Sequence, residues 1–208
     1  MMILRRRYFL ALLPATASAQ ALIPRTPAQT EGPYYPREIP EDADADLRRV
    51  IGASREARGI PLLLQGVVRN LAGTPLPGAR VEIWQADAQG IYLHPRDRVA
   101  QRDAGFQGYG RVTADDQGRY AFRTIRPGLY PGRTPHIHLR AHMPEGGAPL
   151  TTQIYFPDEP GNARDGLFRR TPEAERGLLL ARLEASDQGQ RAIFDIAIHR
   201  LERGLPIR

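Results

Sequence analysis

The chain contains no cysteine. Disulfides, iron–sulfur clusters and thiolate metal sites are therefore excluded, and any bound metal must be held by nitrogen and oxygen. Lysine is absent too, so all 29 basic residues are arginine, set against 23 acidic ones for a net charge of +6. No basic run is interleaved with aromatics, so the charge gives no nucleic-acid signature. A composition biased towards arginine accounts for it. There is no internal repeat, and no apolar run approaches the roughly 20 residues that a membrane-spanning helix needs.

What the sequence has in quantity is glycine and proline, 20 and 19 residues in a chain of 208. That many turn formers suit an all-β domain better than a helical bundle. The first twenty residues, MMILRRRYFLALLPATASAQ, combine a basic start, an apolar stretch from Tyr8 to Leu13 and a small-residue cleavage site at Ala17–Ala19. This predicts an export signal over residues 1–19 and a periplasmic or secreted protein with no membrane span in its mature form. Arg6 and Arg7 fit a twin-arginine signal as well as an ordinary basic one. Cleavage would remove Arg5, Arg6 and Arg7 and halve the net charge.

Residues 20–60 are proline-rich and carry the acidic run EDADAD, which predicts an extended arm. From residue 61 to 208 the pattern is that of strands. LLLQGVVR, RVEIWQAD, RYAFRTI, PHIHLRAHM, LTTQIYF and AIFDIAIHR are separated by turns such as NLAGTPLPGA and DDQG. One helix is predicted, with Thr171 as N-cap, Pro172 in its first position, Glu173 and Glu175 in its first turn and GLLLARLEA as its body. The expected fold is a two-sheet β-sandwich with an extended N-terminal arm and one short C-terminal helix.

Two of the five histidines, His136 and His138, stand two apart in an apolar strand. Side chains at i and i+2 share a face, so these imidazoles project together, about 6–7 Å apart along the strand, and can serve one metal. Simple packing on a sandwich face explains such a pair equally well. His142 has the same parity but lies about 20 Å further along an extended strand. Structural roles are expected for it, His94 and His199. With no cysteine, two histidines leave a metal underligated, and carboxylates or tyrosines must complete it. Tyr92 and Tyr130 are the candidates, although ordinary amphipathic packing accounts for either one taken alone. A phenol, with a pKa near 10, ligates well only to a cation acidic enough to remove its proton, such as ferric iron.

The segments TPAQTEGPYYP, GVVRNLAGTPLPGARVEIWQADAQGIYLH and FQGYGRVTADDQGRYAFRTIRPGLYPGRTPHIH resemble the intradiol ring-cleavage dioxygenases, over about Thr26 to Phe156. The resemblance implies a non-haem ferric iron, Fe(3+), held by Tyr92, Tyr130, His136 and His138. It also implies that Tyr130 is the displaceable ligand and a proton acceptor, and that Arg133 is the arginine that stabilises charge on the ring. Tyr34 and Gln153 would contact substrate. The substrates implied are a catechol-type ring and O2, the product a muconate-type diacid, and the assembly a homodimer. The family often carries a longer, tryptophan-bearing segment between the second tyrosine and the histidines. Here PGRTP replaces it, so a differently shaped mouth is expected. The first half of the pattern is similar also to carboxypeptidase-regulatory and transthyretin-like sandwiches. An exported binding module for carbohydrate or peptide, or a zinc or copper protein on the same scaffold, are the rival readings.

Overall fold

The computed structural model describes residues 21–186 and 189–199, so the expected signal over residues 1–19 lies outside the described residues. Among the described residues there are nine strands: β1 (Pro61–Asn70), β2 (Arg80–Trp84), β3 (Tyr109–Thr113), β4 (Arg119–Ile125), β5 (His136–His142), β6 (Leu150–Tyr155), β7 (Arg182–Ser186), β8 (Gly189–Ile193) and β9 (Ile196–Ile198). They build two sheets. One has the order β4-β1-β8-β7, with β9 beside the end of β1, and the other has the order β3-β2-β5-β6. No helix among the described residues is long and apolar enough to cross a membrane.

The alternation of each strand decides which side chains enter the core. Leu62, Leu64 and Val68 of β1 and Phe122 of β4 face Val81 and Ile83 of β2, Ile137 and Leu139 of β5 and Ile154 of β6 in one buried cluster. The intervening residues of the second sheet, Trp84, His136, His138, Gln153 and Tyr155, must then lie on its outer face. Register brings them together there: Trp84 pairs with His138, His138 with Gln153, and His136 with Tyr155.

The arm closes over that outer face. Residues 21–32 run without helix or strand, residues 33–60 turn repeatedly, and the segment packs on the sandwich of its own chain. Gln29 N–H donates to Thr151 O and Thr152 Oγ1 donates to Pro27 O. Further along, Leu47 N–H and Arg123 O are bonded, and the Leu47 side chain is wholly buried within the sandwich core. The acidic stretch is therefore fastened by one apolar residue that its polar surroundings obscure in the sequence.

Two strand and helix expectations need correction. The helix predicted through GLLLARLEA ends after one turn: α1 (Gly166–Arg170) precedes it, α2 covers only Glu173–Arg176, and Arg182–Ser186 is strand β7. Thr171, expected as its N-cap, is the C-cap of α1. Helix propensity is worth only tenths of a kcal/mol per residue. It is outweighed here by antiparallel pairing of β7 with β8 and by burial of Leu179 against Tyr155 and Phe168. The second correction concerns AIFDIAIHR, which breaks into β8 and β9 at Phe194–Asp195. Gly66 makes the break possible, since a Cβ there would lie 2.0 Å from Phe194 O. Tyr120 Oη donates to that carbonyl, and Asp195 Oδ1 accepts the Val67 N–H that the ladder leaves free.

If Leu47 anchors the arm, Leu47→Ala should cost about 2–4 kcal/mol of stability, as buried leucine truncations do. Ile51→Ala, at a residue 82% exposed on the same arm, should cost almost nothing. Urea unfolding of both variants checks this, and equal midpoints would show that the arm is no part of the core.

Candidate metal centre

The loop after β2 carries Tyr92, and its shape is set by buried Asp87. One carboxylate oxygen of Asp87 accepts the N–H groups of Gln89 and Ile91, and the other accepts that of Asp103. The Asp87 carbonyl accepts Gly128 N–H. Gly90, at φ +76°, completes the turn, and a Cβ there would sit 1.9 Å from Leu129 O. Only glycine allows so close an approach with that backbone. The turn is thereby locked against residues 128–130, which sets Tyr92 beside Tyr130 with ring centroids 5.8 Å apart. Asp97 fixes the exit of the loop by accepting Tyr92 N–H.

Three polar atoms converge at the start of β5. Tyr92 Oη lies 3.2 Å from His136 Nε2, which lies 3.2 Å from His138 Nε2. All three residues are buried. His136 Nδ1 donates to Thr134 O at 2.7 Å, so its Nε2 carries the lone pair that faces the cluster. His138 is held differently. Its ring stacks on the Trp84 indole at 4.9 Å and 10°, and its Nδ1 has no hydrogen-bond partner among the described residues. Tyr130 stands at the edge of the cluster, half-buried. Its hydroxyl meets that of Tyr34 at 2.9 Å, and the Tyr34 ring stacks on Tyr92 at 4.7 Å.

Burial dominates the electrostatics. It holds the Tyr92 phenol far above its usual pKa. Burial, joined by the positive charge of Arg133, pushes His136 down to about 4. Burial, then His136 and Arg133, lower His138 as well. The hydrogen bond with Tyr130, with burial behind it, raises Tyr34 to about 12. The cluster without a cation is thus an uncharged set of lone-pair donors, pointed at one another and shut off from water. Such a set suits a cation, which would reverse the penalty on the phenolate and need no proton on either imidazole. Among the described residues no three His, Asp or Glu side chains gather around one point. A metal here depends on tyrosine oxygen.

Arg133 approaches the cluster from the loop before β5. Its Nη1 is 3.4 Å from His136 Nε2, its Nε donates to Asp165 at 2.8 Å, and its Nη2 donates to Gln153 Oε1 and Tyr155 Oη. A cleft of about 670 Å³ opens beside it, with Tyr130, Arg133, Leu129, Arg98 and Arg164 on its walls. The structure therefore brings Tyr34, Tyr92, Tyr130, Arg133, His136, His138 and Gln153 into one neighbourhood. Tyr34 and Gln153, expected to contact substrate, are not on the cleft wall. Gln153 is fully buried and spends its amide nitrogen on Thr30 O. His142 pairs with Glu82 and His94 packs edge-on against Tyr34, both outside the cluster. Sequence reasoning missed Trp84, Tyr155 and Asp165. Trp84 and Tyr155 could have been found from strand parity and register with the histidines, while Asp165 had only a weak signal, an aspartate ahead of a short apolar stretch.

Comparison with known proteins gives the chain a family. A dioxygenase family model matches residues 30–199. The beta chain of protocatechuate 3,4-dioxygenase from Burkholderia cepacia is 37% identical over 80% of this chain and 75% of its own length. A catechol 1,2-dioxygenase from Acinetobacter baylyi is 29% identical over 86% of this chain and 64% of its own. Among solved structures, the dioxygenase domain of a carbohydrate-binding fusion protein from Streptomyces sp. SirexAA-E is 35% identical. It covers 86% of this chain and 100% of that domain, with a TM-score of 0.68. The chain belongs to the intradiol ring-cleavage dioxygenase family, and is an oxidoreductase of that class.

Proposed function

We propose that Tyr92, Tyr130, His136 and His138 hold a ferric, non-haem iron, and that the protein uses it with O2 to cleave a catechol between its two hydroxyl-bearing carbons. The product is a muconate-type diacid containing both atoms of O2. The observation that carries this reading is the convergence of Tyr92 Oη, His136 Nε2 and His138 Nε2 in a buried cluster with no charge of its own. When bound, the iron supplies Lewis acidity and redox chemistry towards a catechol and O2. A zinc or copper site would use the imidazoles equally well, but neither needs two phenols beside them.

The protein's own groups do the rest. Tyr130 lines the cleft and packs edge-on against Tyr92 of the cluster, so it links the two. Held as a phenolate by a metal, the Tyr130 oxygen could take a proton from a substrate hydroxyl, and the Tyr34 hydroxyl at 2.9 Å is placed to donate a hydrogen bond to it. Arg133 brings a permanent positive charge to the same edge, fixed by Asp165, Gln153 and Tyr155. The cleft itself is cationic. Arg164 and Arg98, the latter 3.7 Å from the Asp97 carboxylate, are exposed on its walls, and the Asp165 carboxylate is already bonded to Arg133. We infer that a catechol bearing an anionic ring substituent is preferred to unsubstituted catechol.

Two outcomes are expected. The purified protein should carry about one iron per chain with visible absorption, and His138→Ala should lose metal and colour together. A His138→Ala protein with full iron by elemental analysis would overturn the ligand assignment, and a colourless wild type would favour the rival readings. For the substrate, kcat/KM with a carboxylated catechol should exceed that with catechol. Arg164→Ala should narrow the gap by about fivefold, the scale of one exposed charge pair at roughly 1 kcal/mol. The effect should fade with salt. Equal kcat/KM values for the two substrates would remove the anionic preference and leave the ring-cleavage reading intact.

A further inference from the structure

We propose that Asp165 is a positioning residue for Arg133, and that it leaves Nη1 as the one guanidinium nitrogen aimed at the Tyr92–His136–His138 cluster. The proposal rests on the ring-cleavage reading above, in which Arg133 is catalytic.

A guanidinium has five N–H groups in a rigid plane. In Arg133 the fold takes three of them. Nε–H goes to Asp165 Oδ2 at 2.8 Å, and the two Nη2 hydrogens go to Gln153 Oε1 at 2.7 Å and Tyr155 Oη at 3.1 Å. Nη1 alone is left, and it is the nitrogen that lies 3.4 Å from His136 Nε2. Three bonds along one edge and one end of a planar group fix both its plane and its direction.

Asp165 is built for this task beyond a surface ion pair. Its side chain has no solvent exposure, whereas that of Arg133 keeps 15%. The oxygen that accepts Arg133 Nε–H also accepts Thr134 N–H at 3.0 Å. The other oxygen caps α1, accepting Leu167 N–H and Phe168 N–H at 3.0 Å each. Burial pushes its pKa up, but the Phe168 N–H, Arg133 and Thr134 N–H outweigh that, and the group stays a carboxylate. Thr134 extends the reach of the clamp. Its N–H is tied to Asp165 and its carbonyl accepts His136 Nδ1–H. One carboxylate thereby sets the guanidinium and, through a single residue, the backbone that orients His136.

A helix cap alone would predict a loss of stability and nothing more. Asp165→Asn separates the two roles. The amide oxygen can still cap α1, but the amide nitrogen then faces Arg133 Nε–H and Thr134 N–H, donor against donor. The test is a double-mutant cycle of wild type, Arg133→Ala, Asp165→Asn and the double variant, each loaded with iron and assayed by oxygen uptake on the best catechol. Arg133→Ala is expected to lower kcat about 100-fold or more, the scale of one lost charge-stabilising donor. Asp165→Asn should lower it at least about tenfold with iron content and the catechol-induced spectral shift retained. In the Arg133→Ala background it should add less than about twofold, since coupled residues are not additive. The metal-free wild type should also show a slowly exchanging Arg133 Nε–H by NMR, and Asp165→Asn should lose that protection.

Equal Asp165→Asn effects in both backgrounds, or unchanged turnover in the single variant, would overturn the proposal while leaving the catalytic reading of Arg133 in place. Wild-type turnover in Arg133→Ala would overturn that reading, and the role of Asp165 with it. Should Asp165→Asn fail to fold, Asp165→Ser, which keeps a capping oxygen but cannot reach Arg133, takes its place in the same cycle under the same criteria.

Discussion

Three polar atoms, each of which would be better solvated in water, are pressed together inside this protein: Tyr92 Oη and His138 Nε2 each lie within hydrogen-bonding distance of His136 Nε2. Burying such groups is costly unless something compensates them. Much of the neighbouring structure serves to make that burial hold. The strand register places Trp84 on one face of His138. Thr134 O fixes His136. Asp87 and Asp97 fix the loop that delivers Tyr92. The arm closes the outer face with Tyr34 on Tyr92 and an ion pair between Glu31 and Arg140.

The parts of this arrangement that follow from short-range rules were legible in the sequence. Strand alternation was enough to project His136 and His138 to one face, and to send Val81 and Ile83 the other way from Glu82 and Trp84. Turn chemistry was enough to bound most strands. What was not legible depends on partners distant in the chain. β3 contains Gly110, directly follows Gly108, and is a strand because it pairs with β2. The LARLEA segment has good helix formers, yet it becomes β7 because β8 needs an edge partner. The resemblance makes Gln153 a substrate contact, and the hydrogen bond that Arg133 donates to its oxygen could not be read from either segment alone. The direction of Arg133 itself depends on Asp165, 32 residues further on.

An arginine-only chain is well suited to this design. Each guanidinium that matters structurally is used as a planar, many-donor connector. Arg126 joins Asp158, Glu159 and Gln190 while lying over the Phe156 ring. Arg140 pairs with Glu31 and sits over Tyr35. A lysine ammonium could carry the charge in these places but could not combine stacking with directed donation from several nitrogens. Arg133 applies the same geometry at the site, where the donors that hold it and the donor that faces the cluster belong to one rigid group.

Acid shows how the cluster is linked to the fold. The folded chain holds His136 at about 4, against an ordinary imidazole value of 6.5. Between those values the unfolded chain binds a proton that the folded site refuses, so this residue's contribution is present above about pH 6.5 and is lost as pH falls towards 4. A cation bound by the imidazole lone pairs competes with the same protons and binds only the folded arrangement tightly, so it opposes acid and unfolding together. The metal-free cluster is therefore a cost to the fold, offset by the carboxylate clamps at residues 87, 97 and 165. An occupied cluster would turn that cost into cohesion between the two loops and strand β5.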